Sequence, residues 1–206
     1  MKPAAPATVA AAPVEPRPSP AVASPAAKSV VPAGPMPAGT PYPDDLRASQ
    51  RVEAAAALLG TAGLADRAFV AHVLRAAGQD LEVDRNVNYA AGLHAKLQAD
   101  GVTVEAAEAR PGDLVFFRDT SDLNGNTRPD DGVTLVGVVE RAQGTQVVFI
   151  AQRAGKVRRM AVDPQRPQVV REGSQVVNTR LVRWPGSTHA WTTGQCLVGY
   201  ARPRQP

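Results

Sequence analysis

A run of oxygen-bearing side chains at alternate positions is the feature of this sequence that most directly indicates chemistry. Asp122, Asn124 and Asn126 repeat the spacing of ligands 1, 3 and 5 of a calcium loop, and Asp130 falls at position 9. Such oxygen atoms converge when the backbone curls around a cation, and calcium prefers hard oxygen ligands. The spacing therefore predicts a calcium site in this loop.

The same segment also departs from a calcium loop. Thr127 replaces the glycine of position 6, Gly125 stands at position 4, and Val133 replaces the bidentate glutamate of position 12. Asp131 is the carboxylate left to substitute for that glutamate, so we expect weak affinity. The alternative is a polar turn, rich in Asn and Asp, that joins two strands.

Sulfur and imidazole chemistry rests on few residues. Cys196 is the single cysteine, which excludes a disulfide or a cysteine-based zinc site within the chain. An isolated thiol is usually a small packing residue, and the alternative is a nucleophile. His72, His94 and His189 show no ligand spacing for zinc, so we expect surface or hydrogen-bonded histidines.

The elements that position these residues are expected after residue 43. Residues 1–43 contain 12 of the 19 prolines and few charges, so they cannot bury enough apolar surface to fold. We predict a disordered Pro/Ala-rich tether there and one domain over residues 44–206. No apolar run approaches the ~20 residues of a membrane span, and the start lacks an export signal. Either the protein is cytoplasmic, or the sequence begins after the true start.

Charge is divided unevenly along the predicted domain. Residues 44–140 carry 9 basic and 16 acidic side chains, whereas residues 141–206 carry 11 basic and 2 acidic ones. The two halves either fold on each other or leave a basic face for an anionic partner. The domain as a whole is nearly balanced, unlike a dedicated nucleic-acid binder, so we expect no nucleic acid.

Hydrophobic periodicity predicts three helices before any strand. The first is expected from Asp44 to Gly60, and the second from an N-cap at Asp66 to Gly78. The third is expected over residues 89–100. The residues of the second helix that should face the core are Phe69, Val70, Val73 and Leu74.

Strand patterns follow from residue 110. The predicted strands are residues 114–117, 133–140, 146–152 and 156–162, with weaker candidates at 169–177 and 196–201. Turns are expected at Pro111-Gly112-Asp113 and at Ala154-Gly155. Helices followed by an antiparallel sheet predict an α+β domain in which the helices pack on the sheet.

Four short blocks follow one another along the predicted domain. They are Leu58-Leu59-Gly60, residues 65–70, residues 110–117 and residues 134–139. Together they resemble the papain-like cell-wall peptidases of the NlpC and CHAP families, whose blocks read Leu-Leu-Gly, Asp-Cys-Ser-Gly-Phe-Val, Pro-Gly-Asp-Leu-Val-Phe-Phe and His-Val-Gly-Val. The resemblance covers about residues 50–200 and implies a papain-like fold in the bacterial cell envelope.

The resemblance also implies where catalytic groups would stand. Those families use a cysteine thiolate at a helix N-terminus and a histidine on a facing strand. Aligned without a gap, Asp66 stands at the cysteine position, and a one-residue deletion would put Arg67 there instead. Leu135 stands at the histidine position, and the third polar position falls near Gln152 or Ala151. The three positions are expected to be vestigial, because nucleophile and base act as a unit and neither replacement can do that work.

Three functions remain open at this point. The first is a catalytically inactive module that binds peptidoglycan or an envelope protein through the remnant cleft between the second helix and the sheet. The second is an active cysteine peptidase or amidase that acts on peptidoglycan through Cys196. The third is an adaptor that docks an acidic partner through the basic residues of 141–206.

Overall fold

The structure is a computed structural model that describes residues 43–84 and 87–204. In these ranges three helices come first and an antiparallel sheet follows, so the predicted α+β class, with helices packed on a sheet, is confirmed. The predicted tether lies outside the described residues, apart from Pro43, which begins the first helix. No helix in the described ranges is both long and apolar enough to cross a membrane.

Three helices form the first part of the domain: α1 (Pro43–Ala57), α2 (Asp66–Ala76) and α3 (Tyr89–Ala99). Asn88 caps α3, because its side-chain oxygen accepts hydrogen bonds from two backbone N–H groups of the first turn. The residues that α2 buries are those its period predicts, namely Phe69, Val70, Val73 and Leu74.

Ten strands follow, of which six form the main sheet. Their bounds are β1 (Thr103–Val104), β2 (Leu114–Arg118), β3 (Val133–Gln143), β4 (Gln146–Arg153), β5 (Lys156–Val162), β6 (Arg171–Glu172), β7 (Gln175–Val176), β8 (Arg180–Val182), β9 (Trp191–Thr192) and β10 (Leu197–Ala201). The main sheet has the order β1-β10-β2-β3-β4-β5, and all its neighbouring strands are antiparallel. A short helix, α4 (Thr193–Cys196), leads into β10.

Alternate side chains of the sheet form two apolar clusters. Leu114 and Phe116 of β2 belong to the first cluster, which residues of all three long helices complete. Val115 and Phe117 of the same strand belong to the second cluster, together with Cys196. Both faces of the central strands are therefore buried, because successive side chains of a strand point to opposite sides.

The turn at Pro111-Gly112-Asp113 joins the sheet to α1. Gly112 has φ of +87°, and a Cβ atom there would lie 2.6 Å from Cα of Ala48. Only glycine therefore allows this close approach of the turn to α1. The side chain of Arg51 donates a hydrogen bond to the Gly112 carbonyl at 2.7 Å, which ties α1 to the turn.

The outer edge of β5 is covered at two points. The N–H of Val157 donates to the carbonyl of Thr61, and the carbonyl of Val157 accepts from the N–H of Gly60. Ala161 exchanges a similar pair with Thr179, whose hydroxyl accepts and whose N–H donates. These contacts protect an exposed edge and also hold the segment after β5 beside the sheet.

Two strand predictions near the C-terminus are wrong in detail. In place of one strand over residues 169–177, β6 and β7 form a short hairpin that turns at Gly173, with φ of +58°. Asn178 fixes the return of this segment, because its side-chain amide donates to two backbone carbonyls of the preceding loop. Cys196 ends α4, and the last strand begins at Leu197.

Candidate functional site

Asp66 stands at the start of α2 but does not cap it. The N-cap is Ala65, and no side chain bonds to the first turn, so the predicted N-cap role of Asp66 is wrong. The Oδ1 atom of Asp66 is shielded from solvent and has no hydrogen-bond partner among the described residues. Burial raises the pKa of this carboxyl from 3.8 to about 7, and the positive charge of Arg153 offsets part of that effect.

Arg153 is the neighbour of Asp66 that sequence reasoning missed. It ends β4, and its Nη2 atom donates to the carbonyls of Thr120 at 2.8 Å and Leu181 at 3.1 Å. Its Nε atom is buried and has no hydrogen-bond partner within residues 43–84 and 87–204. Burial lowers the pKa of the guanidinium, whose charge acts on both Asp66 and Cys196. The basic residue at the end of a predicted strand was the only available signal.

The other two positions that the resemblance predicts to be vestigial, Leu135 and Gln152, lie in the sheet. Leu135 lies opposite Phe117 in β3, and its side chain belongs to the second apolar cluster. The buried side chains of α2 belong to the first cluster, so Leu135 contributes packing on the other face. Gln152 is half-buried in β4, next to Arg153. Asp66 is thus close enough to Arg153 for the two charges to interact, whereas Leu135 lies in a separate apolar cluster.

Cys196 lies in the second apolar cluster with no exposed surface. Burial raises the pKa of its thiol to about 11, and the negative charge of Asp119 acts in the same direction. These surroundings favour a neutral Cys196 thiol.

Two of the three histidines, His72 and His189, are exposed. The ring of His94 packs against Phe116, a residue of the first cluster, at 5.0 Å between centroids.

The segment with calcium-loop spacing is closed at its base. The N–H of Asp119 donates to the carbonyl of Gly132, and the N–H of Gly132 donates back to Oδ1 of Asp119. The indole of Trp184 donates to the Asp119 carbonyl at 3.2 Å and is buried against this base. The loop between these two residues is exposed over most of its length.

Within this loop the predicted calcium ligands bond to the backbone and to one another. Asp122 accepts hydrogen bonds from the N–H groups of Gly125 and Thr127. The side-chain amides of Asn124 and Asn126 donate to Asp130, and this holds the pKa of Asp130 below its usual range. In the described ranges no group of three or more His, Cys, Asp or Glu side chains is arranged to hold a metal ion. The calcium site stays a prediction.

A cavity of about 740 Å³ lies beside α2, the helix that was expected to border the remnant cleft. It is formed by one side of the helix and the segment that follows it. Its wall mixes Arg67 and Arg75 with Asp80 and Glu82, so neither sign of charge dominates. Asp66, Leu135 and Gln152 do not line this cavity.

A second cavity, of about 1060 Å³, has a markedly basic wall. It lies where β3, β4 and β5 meet the segment that follows β5. Among the described residues, four arginines and no carboxylate residue line it; we call it the basic groove, and its arginines are Arg141, Arg159, Arg171 and Arg180. Half-buried Val148 and buried Ala161 contribute apolar surface between them.

Strand register explains how the arginines come together. Arg141 lies opposite Val148, and Val148 lies opposite Ala161, so the three form one row across the strands. Thr179 extends that row through its bonds to Ala161, and Arg180 follows it in the chain. With about 4.8 Å between neighbouring strands, the two ends of the row are about 14 Å apart.

The charges of this region are only partly compensated. Arg159 is bound by Glu140 through two hydrogen bonds of 2.6 Å. Arg166 pairs with both acidic residues of the basic half, Asp163 and Glu172. Within the described ranges, Arg141 and Arg180 have neither an ion pair nor a side-chain hydrogen bond. Four of the eleven basic residues of 141–206 therefore line one groove.

Comparison with known proteins adds no relative to this picture. No family model, no curated protein and no solved structure matches the chain. The fold and the site alone define its class, an α+β domain with helices on one face of an antiparallel sheet and a basic groove beside β5. The resemblance to NlpC and CHAP peptidases stays a prediction from the sequence.

Proposed function

We propose that the domain is a non-catalytic binding module of the papain-like NlpC and CHAP type, which holds an anionic partner of the bacterial cell envelope. The observation that carries this proposal is the basic groove, with four arginines and no carboxylate residue. Guanidinium groups bind carboxylates through paired hydrogen bonds of defined geometry. Peptidoglycan and acidic envelope proteins both present carboxylates.

The arrangement of the scaffold supports the papain-like part of the proposal. The Leu-Leu-Gly block follows α1, and the block that contains Asp66 begins α2. The Pro-Gly-Asp block leads into β2, which pairs with β3, the strand of Leu135. Since α2 packs on β3 and β4, the elements that carry the four blocks form one assembly.

The chemistry of Cys196, Leu135 and Asp66 supports a non-catalytic module. A cysteine peptidase needs a thiolate and an adjacent proton acceptor. The pKa of the buried Cys196 thiol is about 11, and Leu135 packs in an apolar cluster. The carboxyl of Asp66 offers no thiolate at the start of α2. Binding without cleavage is the function that these groups support.

Sedimentation with purified sacculi and with an acidic envelope extract tests the proposal. The full chain should bind at least one of them at about 50 mM salt and lose most of that binding at about 500 mM salt. Arg141→Glu combined with Arg180→Glu should abolish binding. Arg158→Glu combined with Arg183→Glu is the matched control, because it makes the same charge change at exposed arginines outside the groove.

An activity assay separates binding from catalysis. Release of soluble muropeptides from sacculi should be absent in the wild type and in Cys196→Ala. Muropeptide release by the wild type that disappears in Cys196→Ala would instead establish the active hydrolase. Equal loss of binding in the groove variant and in the control variant would show that net charge, and not the groove, holds the partner.

A further inference from the structure

The basic groove combines paired and unpaired charges with an apolar floor. Arg159 already has a carboxylate partner in Glu140, whereas Arg141 and Arg180 have none in the described ranges. Between the two unpaired arginines lie Val148 and Ala161, whose side chains share one face of the sheet. A ligand that matches this surface carries one negative charge on each side of an apolar group.

We infer that the groove binds an extended acidic segment of a protein, in which a carboxylate residue, an apolar residue and a second carboxylate residue occur at alternate positions. This inference rests on the proposed function and names the partner. The carboxylates meet Arg141 and Arg180, and the apolar side chain packs on Val148. Charge complementarity fixes the two ends, and apolar burial fixes the register between them.

The dimensions of the groove support this spacing. The row from Arg141 through Val148 and Ala161 to Thr179 spans about 14 Å. An extended chain advances about 3.3 Å per residue, so the first and fifth residues of a bound segment are about 13 Å apart. Side chains at positions one, three and five point to the same face of an extended chain. An acid-x-apolar-x-acid pattern therefore matches the row.

The lining of the groove favours a peptide over a nucleic acid or a glycan. In the part of the chain that the structure describes, none of the residues that line it is aromatic, so these residues offer nucleobases and sugar rings no stacking surface. Gln146 and Gln175 also line it; the amide of Gln175 donates to Gln146, and each amide keeps a second donor hydrogen for a peptide backbone. An extended acidic segment uses the arginines, the apolar floor and these neutral groups together.

Fluorescence anisotropy with three labelled peptides tests the inference on the full chain. Their cores are Glu-Ser-Val-Ser-Glu, Glu-Ser-Ser-Ser-Glu and Gln-Ser-Val-Ser-Gln. We expect the first to bind tightest, the second about threefold to tenfold more weakly, and the third more weakly still with little dependence on salt. Val148→Thr, which keeps the shape of the side chain, should weaken the binding of the first peptide and leave the binding of the second unchanged.

The outcomes distinguish the inference from the proposed function. Equal affinity for the first two peptides, with both affinities reduced by Arg141→Gln and Arg180→Gln, overturns the role of the central apolar residue. The groove would then still bind anionic ligands. Binding of sacculi through these arginines without binding of any peptide likewise overturns the acidic segment and keeps the function. If the arginine variants change the binding of neither sacculi, acidic extract nor peptides, the proposed function itself is wrong.

Discussion

Replacement of Asp66 by asparagine should stabilise the protein above neutral pH. The carboxyl has a buried oxygen without a hydrogen bond, and its pKa rises from 3.8 to about 7 on folding. One pKa unit corresponds to about 1.4 kcal/mol, so the ionised carboxylate destabilises the folded state by at most about 4 kcal/mol. Because the residue is only half-buried, we expect Asp66→Asn to raise the free energy of unfolding by about 2–4 kcal/mol at pH 8.

The sign of the pH dependence follows from proton binding. Between the unfolded pKa of 3.8 and the folded pKa of about 7, the folded state holds a proton on Asp66 that the unfolded state has released. The contribution of Asp66 to stability therefore decreases as pH rises through this window and is constant above it. The asparagine variant lacks this slope, so its advantage should grow from about pH 4 to about pH 7.

Urea denaturation at several pH values measures this difference. Wild type and Asp66→Asn should have similar stability near pH 4 and diverge towards pH 8. Asp45→Asn is the matched control, since Asp45 is also near the start of a helix but is exposed. A difference between wild type and Asp66→Asn that does not vary with pH, or a variant that is less stable at pH 8, would refute the burial argument.

Three further experiments, one chemical modification and two substitutions, test the packing of the domain. The Cys196 thiol should resist iodoacetamide in the native state and react in urea, because it is fully buried with a raised pKa; rapid native alkylation would contradict that burial. Gly194→Ala should destabilise by about 2–3 kcal/mol in urea, because its Cβ would lie 2.6 Å from Pro167, whereas Gly199→Ala faces open space; equal effects would contradict the contact. Arg202→Met should lower stability by about 2–4 kcal/mol, since it leaves buried Asp113 without a guanidinium that donates to both its oxygens; a neutral result would contradict this role.

The helices and central strands could be predicted because their signals are local. The buried face of α2 follows from four apolar residues at helical spacing. The turn between β4 and β5 follows from Ala154-Gly155, where both residues have positive φ. The bounds of β5 are those expected from the sequence, Lys156–Val162. Each of these signals lies within about ten residues of the element that it predicts.

The site could not be predicted to the same extent, because its residues come from distant parts of the chain. Arg141 and Arg180 come to line the same groove through strand register and through the bonds of Thr179 to β5. Sequence alone gave only the excess of basic residues after position 140. The wrong N-cap at Asp66 has a similar cause, since a carboxylate near a helix start can face either the first turn or Arg153.

The two hydrogen bonds between Asp119 and Gly132 close the base of the exposed loop, so the sheet does not depend on the conformation of the loop. Because the two ends of the loop are hydrogen-bonded to each other and Trp184 donates to the Asp119 carbonyl, β2 and β3 can pair whatever the number of residues between these ends. Loop-closure entropy changes only slowly with added residues. Insertions at the tip, including an epitope tag or a reporter peptide, should therefore be tolerated and would display their cargo away from the groove arginines.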